Sequence, residues 1–339
     1  DQITRAGGEA VFVNRGLGPV FGRLAGLGVV VTGIVSSAVI ALAFGGYVRT
    51  LVAVPERLTT VVVVLLLALI AREGVRESVA FAAVITVLEV ATLVVVIGFG
   101  FDLLDDTEAV LDTFTPSASG AGLTPILSAA VVAFFAFIGF EDIENMAEET
   151  IEPRKTTPRA ILLTLVITVV VYVLLATIAA LVPDRRAITE ADGPLAAMFE
   201  EVSGLDPKPI AAIAAVAMVN GILVQIVMAA RVLYGMANDG LMPAALGAVD
   251  EEHQTPVRAT ALVAGLIVVL ASVFPLVRLA QATSLVTLSV FGMVNLSLFT
   301  IGTKMPETGL TRWRWLGLVG AVLALALAVW QITHGLVGE

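Results

Sequence analysis

The 339 residues carry a formal net charge of −10, 58% are hydrophobic, only 14% are charged, and the mean hydropathy is +0.99. A soluble globular chain is about a quarter charged, so a water-soluble domain is excluded. There is no cysteine, which removes disulfides, thiol catalysis and Cys-ligated metal sites from consideration.

The apolar residues gather in runs able to cross a bilayer, which takes about 20 residues per helix. Backbone in hydrocarbon must satisfy its own polar groups, so these runs are read as helices of an all-α, polytopic membrane protein. After the polar opening "DQITRAGGEAVFVNRGLG", about nine transmembrane helices are predicted, over 23–48, 52–71, 78–101, 124–140, 159–182, 209–230, 259–277, 281–303 and 314–333. The second has a short clean core, "LTTVVVVLLLALIA", with Pro55, Glu56 and Arg57 at the interface. The third carries Glu89 inside an otherwise uncharged stretch, "ITVLEVATLVVVIG". The fourth runs straight into acids as "FFAFIGFEDIENMAEET", residues 134–150. The seventh and eighth are parted by a short turn around Arg278, and Pro275 is read as a terminator.

Assigning alternate loops to opposite sides divides the basic residues thirteen to six. The richer side, with Arg5, Arg15, Arg72, Arg76, Lys155, Arg258 and Lys304 among others, is cytoplasmic by the positive-inside rule. Arg154, Lys155 and Arg159 are accordingly read as enforcing topology rather than binding nucleic acid. The opposite loops, "DLLDDTEAVLDTFTPSASG" and "PDRRAITEADGPLAAMFEEVSGLDPK", are acid-rich, which fits either adaptation to salt or ordinary charge scatter.

His253 and His334 lie far apart and read as solvated polar residues, so no metal site is implied. Neither a phosphate-cradling G-x-x-x-x-G-K-[ST] loop nor a G-x-S-x-G nucleophile elbow occurs, so the chain gives no support for ATP-driven pumping or serine hydrolysis. Helices interrupted by glycine, with sparse intramembrane polar groups, favour a secondary transporter over a channel or a membrane enzyme.

One stretch carries a resemblance. Phe135, Phe137, Gly139 and Glu141, then Glu148 and Glu149, then Glu152-Pro153-Arg154 and Pro158-Arg159-Ala160-Ile161, resemble the sixth span and following loop of amino-acid permeases of the amino acid–polyamine–organocation superfamily. Glu152 stands where that pattern has Asn. "ARVLYGMANDGLMP" followed by "TPVRA" resembles the end of the family's eighth span and the start of its ninth. "AGGEAVFVNRGLGPVFGRLAG" resembles the approach to its third. The resemblance implies a LeuT-like inverted-repeat fold forming one transport domain over 1–339. Residues 23–101 would be the remnant of the first repeat, 124–303 the second, and 304–339 an additional C-terminal span. It also implies that the nine spans are the third to eleventh of a usual twelve, so that the chain is a fragment.

The implied activity is secondary transport of an amino acid or related amine across the cytoplasmic membrane, coupled to a cation, protons preferred over sodium, and with no cofactor. An exchanger is the alternative; a non-transporting sensor or a channel is more distant. The implied site is the backbone at Ala136, Phe137 and Ile138, receiving the substrate ammonium around Gly139, with Phe135 closing over it. The plainer reading is a Phe-rich helix in which Gly139 permits close packing. Glu141 is either a proton-linked or gating carboxylate at the cavity's inner mouth or an interfacial acid, and Asp142 and Glu144 are interfacial. Many relatives carry a lysine where Glu89 stands, and the reversed sign prevents that role from being carried over. Glu89 either binds a proton or cation, or is held neutral by a hydrogen bond. Asn220, Gln225 and Asn295 read as interhelical hydrogen-bonding groups.

Overall fold

The computed structural model describes residues 8–74, 79–115, 124–141, 143, 150–250, 254–305 and 309–335. Arg5, Arg76, Asp142, Glu144, Glu148, Glu149 and His253 lie outside the described residues, as does the side chain of Arg154. The helices are α1 (Gly8–Leu17), α2 (Pro19–Leu51), α3 (Glu56–Arg72), α4 (Val79–Phe99), α5 (Thr107–Phe114), α6 (Thr124–Phe135) and α7 (Pro153–Leu181). They continue as α8 (Arg185–Thr189), α9 (Pro194–Ser203), α10 (Lys208–Asn238), α11 (Val257–Val273), α12 (Leu276–Lys304) and α13 (Arg314–Gly335). No strand occurs among the described residues.

Each of the nine apolar runs contains a helix. Among the described residues, five are long and apolar enough to cross a membrane: α2, α7, α10, α12 and a stretch from 311 to 334 that includes α13. Several helix ends lie some residues from the predicted span ends, and two of these differences change the reading. Pro275 is the N-cap of α12, so the turn between α11 and α12 lies at Phe274–Pro275 and Arg278 is already helical. Proline lacks an N–H, but the first turn of a helix has no acceptor for one, so it opens a helix as readily as it ends one. The fourth run is helical only to Phe135 and breaks beyond it.

α2 is the axis of the molecule, packed against α1, α3, α10, α11 and α12. Its small residues, including Gly26, Gly33, Ser37, Ala38 and Ala41, let these neighbours approach closely. A Cβ at Gly28 would come within 2.6 Å of Val290 Cγ2 on α12. The main core joins Val30 and Ile34 of α2 to Ile222 and Ile226 of α10 and to Val263 and Ile267 of α11. A second core, with Tyr47, Ile178, Met198, Phe199 and Ile210, seats α9 over the ends of α2, α7 and α10. Several buried hydroxyls find backbone carbonyls: Ser37 donates to Gly33 O (2.7 Å), and Thr60 to Ala41 O across α2 and α3 (3.1 Å).

Loops assigned to the same side of the bilayer meet in space. Arg49 at the end of α2 pairs with Asp192, and the Leu195 N–H donates to the Tyr47 hydroxyl at 3.1 Å. At the other end Thr255 donates to the Arg72 carbonyl at 2.7 Å. α7 turns Leu162, Leu163, Val166 and Val170 outward, an apolar surface suited to hydrocarbon.

Candidate substrate and coupling site

α6 stops at Phe135, and its last carbonyls are taken up by tight i→i−3 bonds. Ala136 N–H donates to Ala133 O (3.0 Å), Phe137 N–H to Phe134 O (3.0 Å) and Ile138 N–H to Phe135 O (3.2 Å). Gly139 then takes φ +117°, a region that L side chains rarely adopt, although a Cβ there would meet nothing within 4 Å. Glycine is required by the backbone conformation rather than by crowding. The Gly139 N–H donates to Glu141 Oε2 at 2.8 Å, so the carboxylate closes the turn that the glycine opens.

The segment 136–141 separates two cavities, and Ile138 lines both. The smaller, about 30 Å³, is bounded by α1, α2, α10 and α12 and lined by Glu9, Thr32, Gly33, Gln225, Thr287 and Glu141, with apolar neighbours such as Phe291. Glu9 is only 7% exposed. The Thr32 and Thr287 hydroxyls are 3.2 Å apart, joining α2 to α12. The larger, about 330 Å³, lies toward α7 and is lined by Ala136–Phe140 with Thr164, Thr168 and Tyr172.

Aromatic rings fix the broken segment on both sides. Phe291 of α12 makes edge contacts with Phe134 (6.0 Å) before the break and Phe140 (5.7 Å) after it. Tyr172 of α7 meets Phe137 edge-on at 5.3 Å and donates its hydroxyl to Ala136 O at 3.1 Å. One of the three implied carbonyls is therefore already engaged, by a residue that sequence reasoning passed over.

Glu9 lies in α1, ahead of the first span. Burial pushes its carboxyl above the ordinary carboxylate range and the charge of Glu141 adds to that, against a lowering by its own backbone N–H. Glu89 does not enter this cavity. It lies half-buried on α4, which packs against α7, the helix that carries Tyr172. Among the described residues no hydrogen bond holds Glu89. Phe135 packs against the main core. Gln225 lines the small cavity. Asn295 donates to Phe291 O within its own helix (2.9 Å), and the Asn220 side-chain oxygen is buried without a hydrogen-bond partner among the described residues. Glu9, Thr32, Thr287, Tyr172 and Phe291 were not singled out from sequence. Only Glu9 left a trace there, as the acid in the stretch "AGGEAVFVNRGLGPVFGRLAG".

A family model described as "Amino acid permease" matches residues 2–336. The chain belongs to this amino acid permease family. It is 33% identical over 342 residues to an uncharacterized transporter of Mycobacterium tuberculosis (strain ATCC 25618 / H37Rv), covering 97% of this chain and 74% of the relative. It is 32% identical over 187 residues to a branched-chain amino acid permease of Bacillus subtilis (strain 168), covering 55% of this chain and 40% of that permease. To cationic amino acid transporter 1 of Arabidopsis thaliana it is 27% identical over 349 residues, covering 96% of this chain and 57% of the transporter. The matched regions thus span from two fifths to three quarters of these relatives.

Proposed function

We propose that the full-length permease carries out secondary active transport of an amino acid or related amine across the cell membrane, driven by protons in preference to sodium. The observation that supports this most is the broken segment itself. It places unwound backbone and a carboxylate between two cavities, where irregular backbone is tolerated in a membrane protein. The carbonyls of Phe137 and Ile138 are offered as acceptors for the substrate ammonium, and Phe135 as the gate. Glu141 is the coupling carboxylate at the mouth, and Glu89, acting through Tyr172, is a second. The nine spans are arranged as the remnant of one repeat followed by a complete second one. The names of the relatives, which include branched-chain and cationic amino acid carriers, support the substrate class.

The test is uptake by proteoliposomes holding the full-length protein, with a panel of amino acids and amines under imposed proton or sodium gradients. Net accumulation driven by a proton gradient is expected. Counterflow without net uptake would instead identify an exchanger, and no flux under any gradient would remove the transport reading. Glu89→Gln keeps the size and hydrogen-bonding capacity but loses the exchangeable proton. It is expected to leave equilibrium binding intact while abolishing proton-driven accumulation, and unchanged accumulation would remove Glu89 from the mechanism.

A further inference from the structure

We propose that Glu9 and Glu141 act as one unit, holding a single proton between them across the small cavity, so that Glu9 is a second proton-carrying residue at the inner mouth. This deepens the role given to Glu141 above and rests on that reading for its link to transport. The two acids come from elements 132 positions apart in sequence, α1 and the turn after α6, yet they line the same cavity of about 30 Å³. That space is enough to hold a water molecule. The remaining lining side chains, from α2, α10, α12 and the broken segment, are uncharged, the polar ones being Thr32, Gln225 and Thr287. Arg15 of α1, Arg23 and Arg49 of α2, Arg231 of α10, and Arg278 and Lys304 of α12 do not line it. No cation among the described lining residues offsets two carboxylates there.

Two acids sharing so small a space, one of them 7% exposed, do not both ionise readily, and one keeps a proton taken from solvent. Burial and the charge of Glu141 act on Glu9 in the same direction. The link to conformation is Glu141 itself, whose carboxylate accepts the Gly139 N–H and thereby shapes the break. With one proton bound, α1 and the turn stay together on the two sides of the cavity. When that proton leaves to solvent, like charges face each other and push α1 and the turn apart, opening the mouth.

The experiment is an infrared pH titration of protonated-carboxyl absorption in the full-length protein, for the parent, Glu9→Gln and Glu141→Gln. It needs no transport, so its failure is distinct from failure of the uptake test. In the parent, a protonated carboxyl is expected to persist above the range of the solvent-exposed acids and to be lost in a step separate from theirs. In either variant the remaining acid is expected to titrate lower by about one pH unit or more, the mark of coupled sites. Either variant alone suffices if the other does not fold. A step that loses amplitude without moving would overturn the pairing, and so would a parent protein with no protonated carboxyl above the range of exposed acids.

Discussion

At Gly139 the backbone adopts φ +117° with open space where a side chain would stand, so the effect of substitution is one of conformation alone. Gly139→Ala is expected to destabilise the protein by about 1–3 kcal/mol, the usual cost of a non-glycine residue in such a region. Thermal denaturation in detergent would read this, and an unchanged midpoint would mean that the turn is not held at this geometry. Glu9 gives a second residue-scale prediction, with the sign set by its raised pKa. An acid whose folded pKa lies above its unfolded value contributes stability that is fully present below about 4.5, and that is lost as pH rises through the folded value. Glu9→Gln should therefore remove a fall in thermal stability between those limits, seen by comparing melting curves of parent and variant from pH 4 upward. The sequence pointed to Gly139 and Glu141 because a glycine beside an acid at the end of an apolar run is a local signal. It could not point to Glu9 as a cavity residue, since that depends on how the fold brings α1 to the same cavity as a turn 132 positions away.

The elements were legible from composition alone wherever an apolar run was long, as for α2, α7, α10 and α12. Less legible were the junctions, because a proline between two apolar runs reads equally as the stop of one helix or the start of the next. Pro275 resolves in favour of starting α12. The end of α6 at Phe135, before the glycine, also needed tertiary information: Phe291 brackets the break, and Tyr172 takes the Ala136 carbonyl. Tyr172→Phe removes that hydrogen bond and keeps the ring contact with Phe137. A cost of about 0.5–1.5 kcal/mol in thermal stability is expected, the net worth of one hydrogen bond. If Tyr172 also links Glu89 to the broken segment, the variant's uptake should lose pH dependence beyond this small loss. A variant with the parent's pH profile would confine Tyr172 to packing.

Across the whole molecule, α2 forms an axis on which α10, α11 and α12 converge, while α7 faces outward with apolar side chains. The small cavity sits where that axis meets the broken segment, so a change at 136–141 bears directly on α1, α2, α10 and α12. This arrangement fits the proposed transport path, with a carboxylate at its inner mouth. Its most direct test is amino acid accumulation in proteoliposomes under an imposed inward proton gradient, comparing the full-length protein with Glu141→Gln and measuring equilibrium substrate binding alongside. The parent is expected to accumulate substrate, and the variant to bind it without accumulating it. Accumulation by Glu141→Gln equal to the parent's, or none by the parent under a proton gradient, would contradict it.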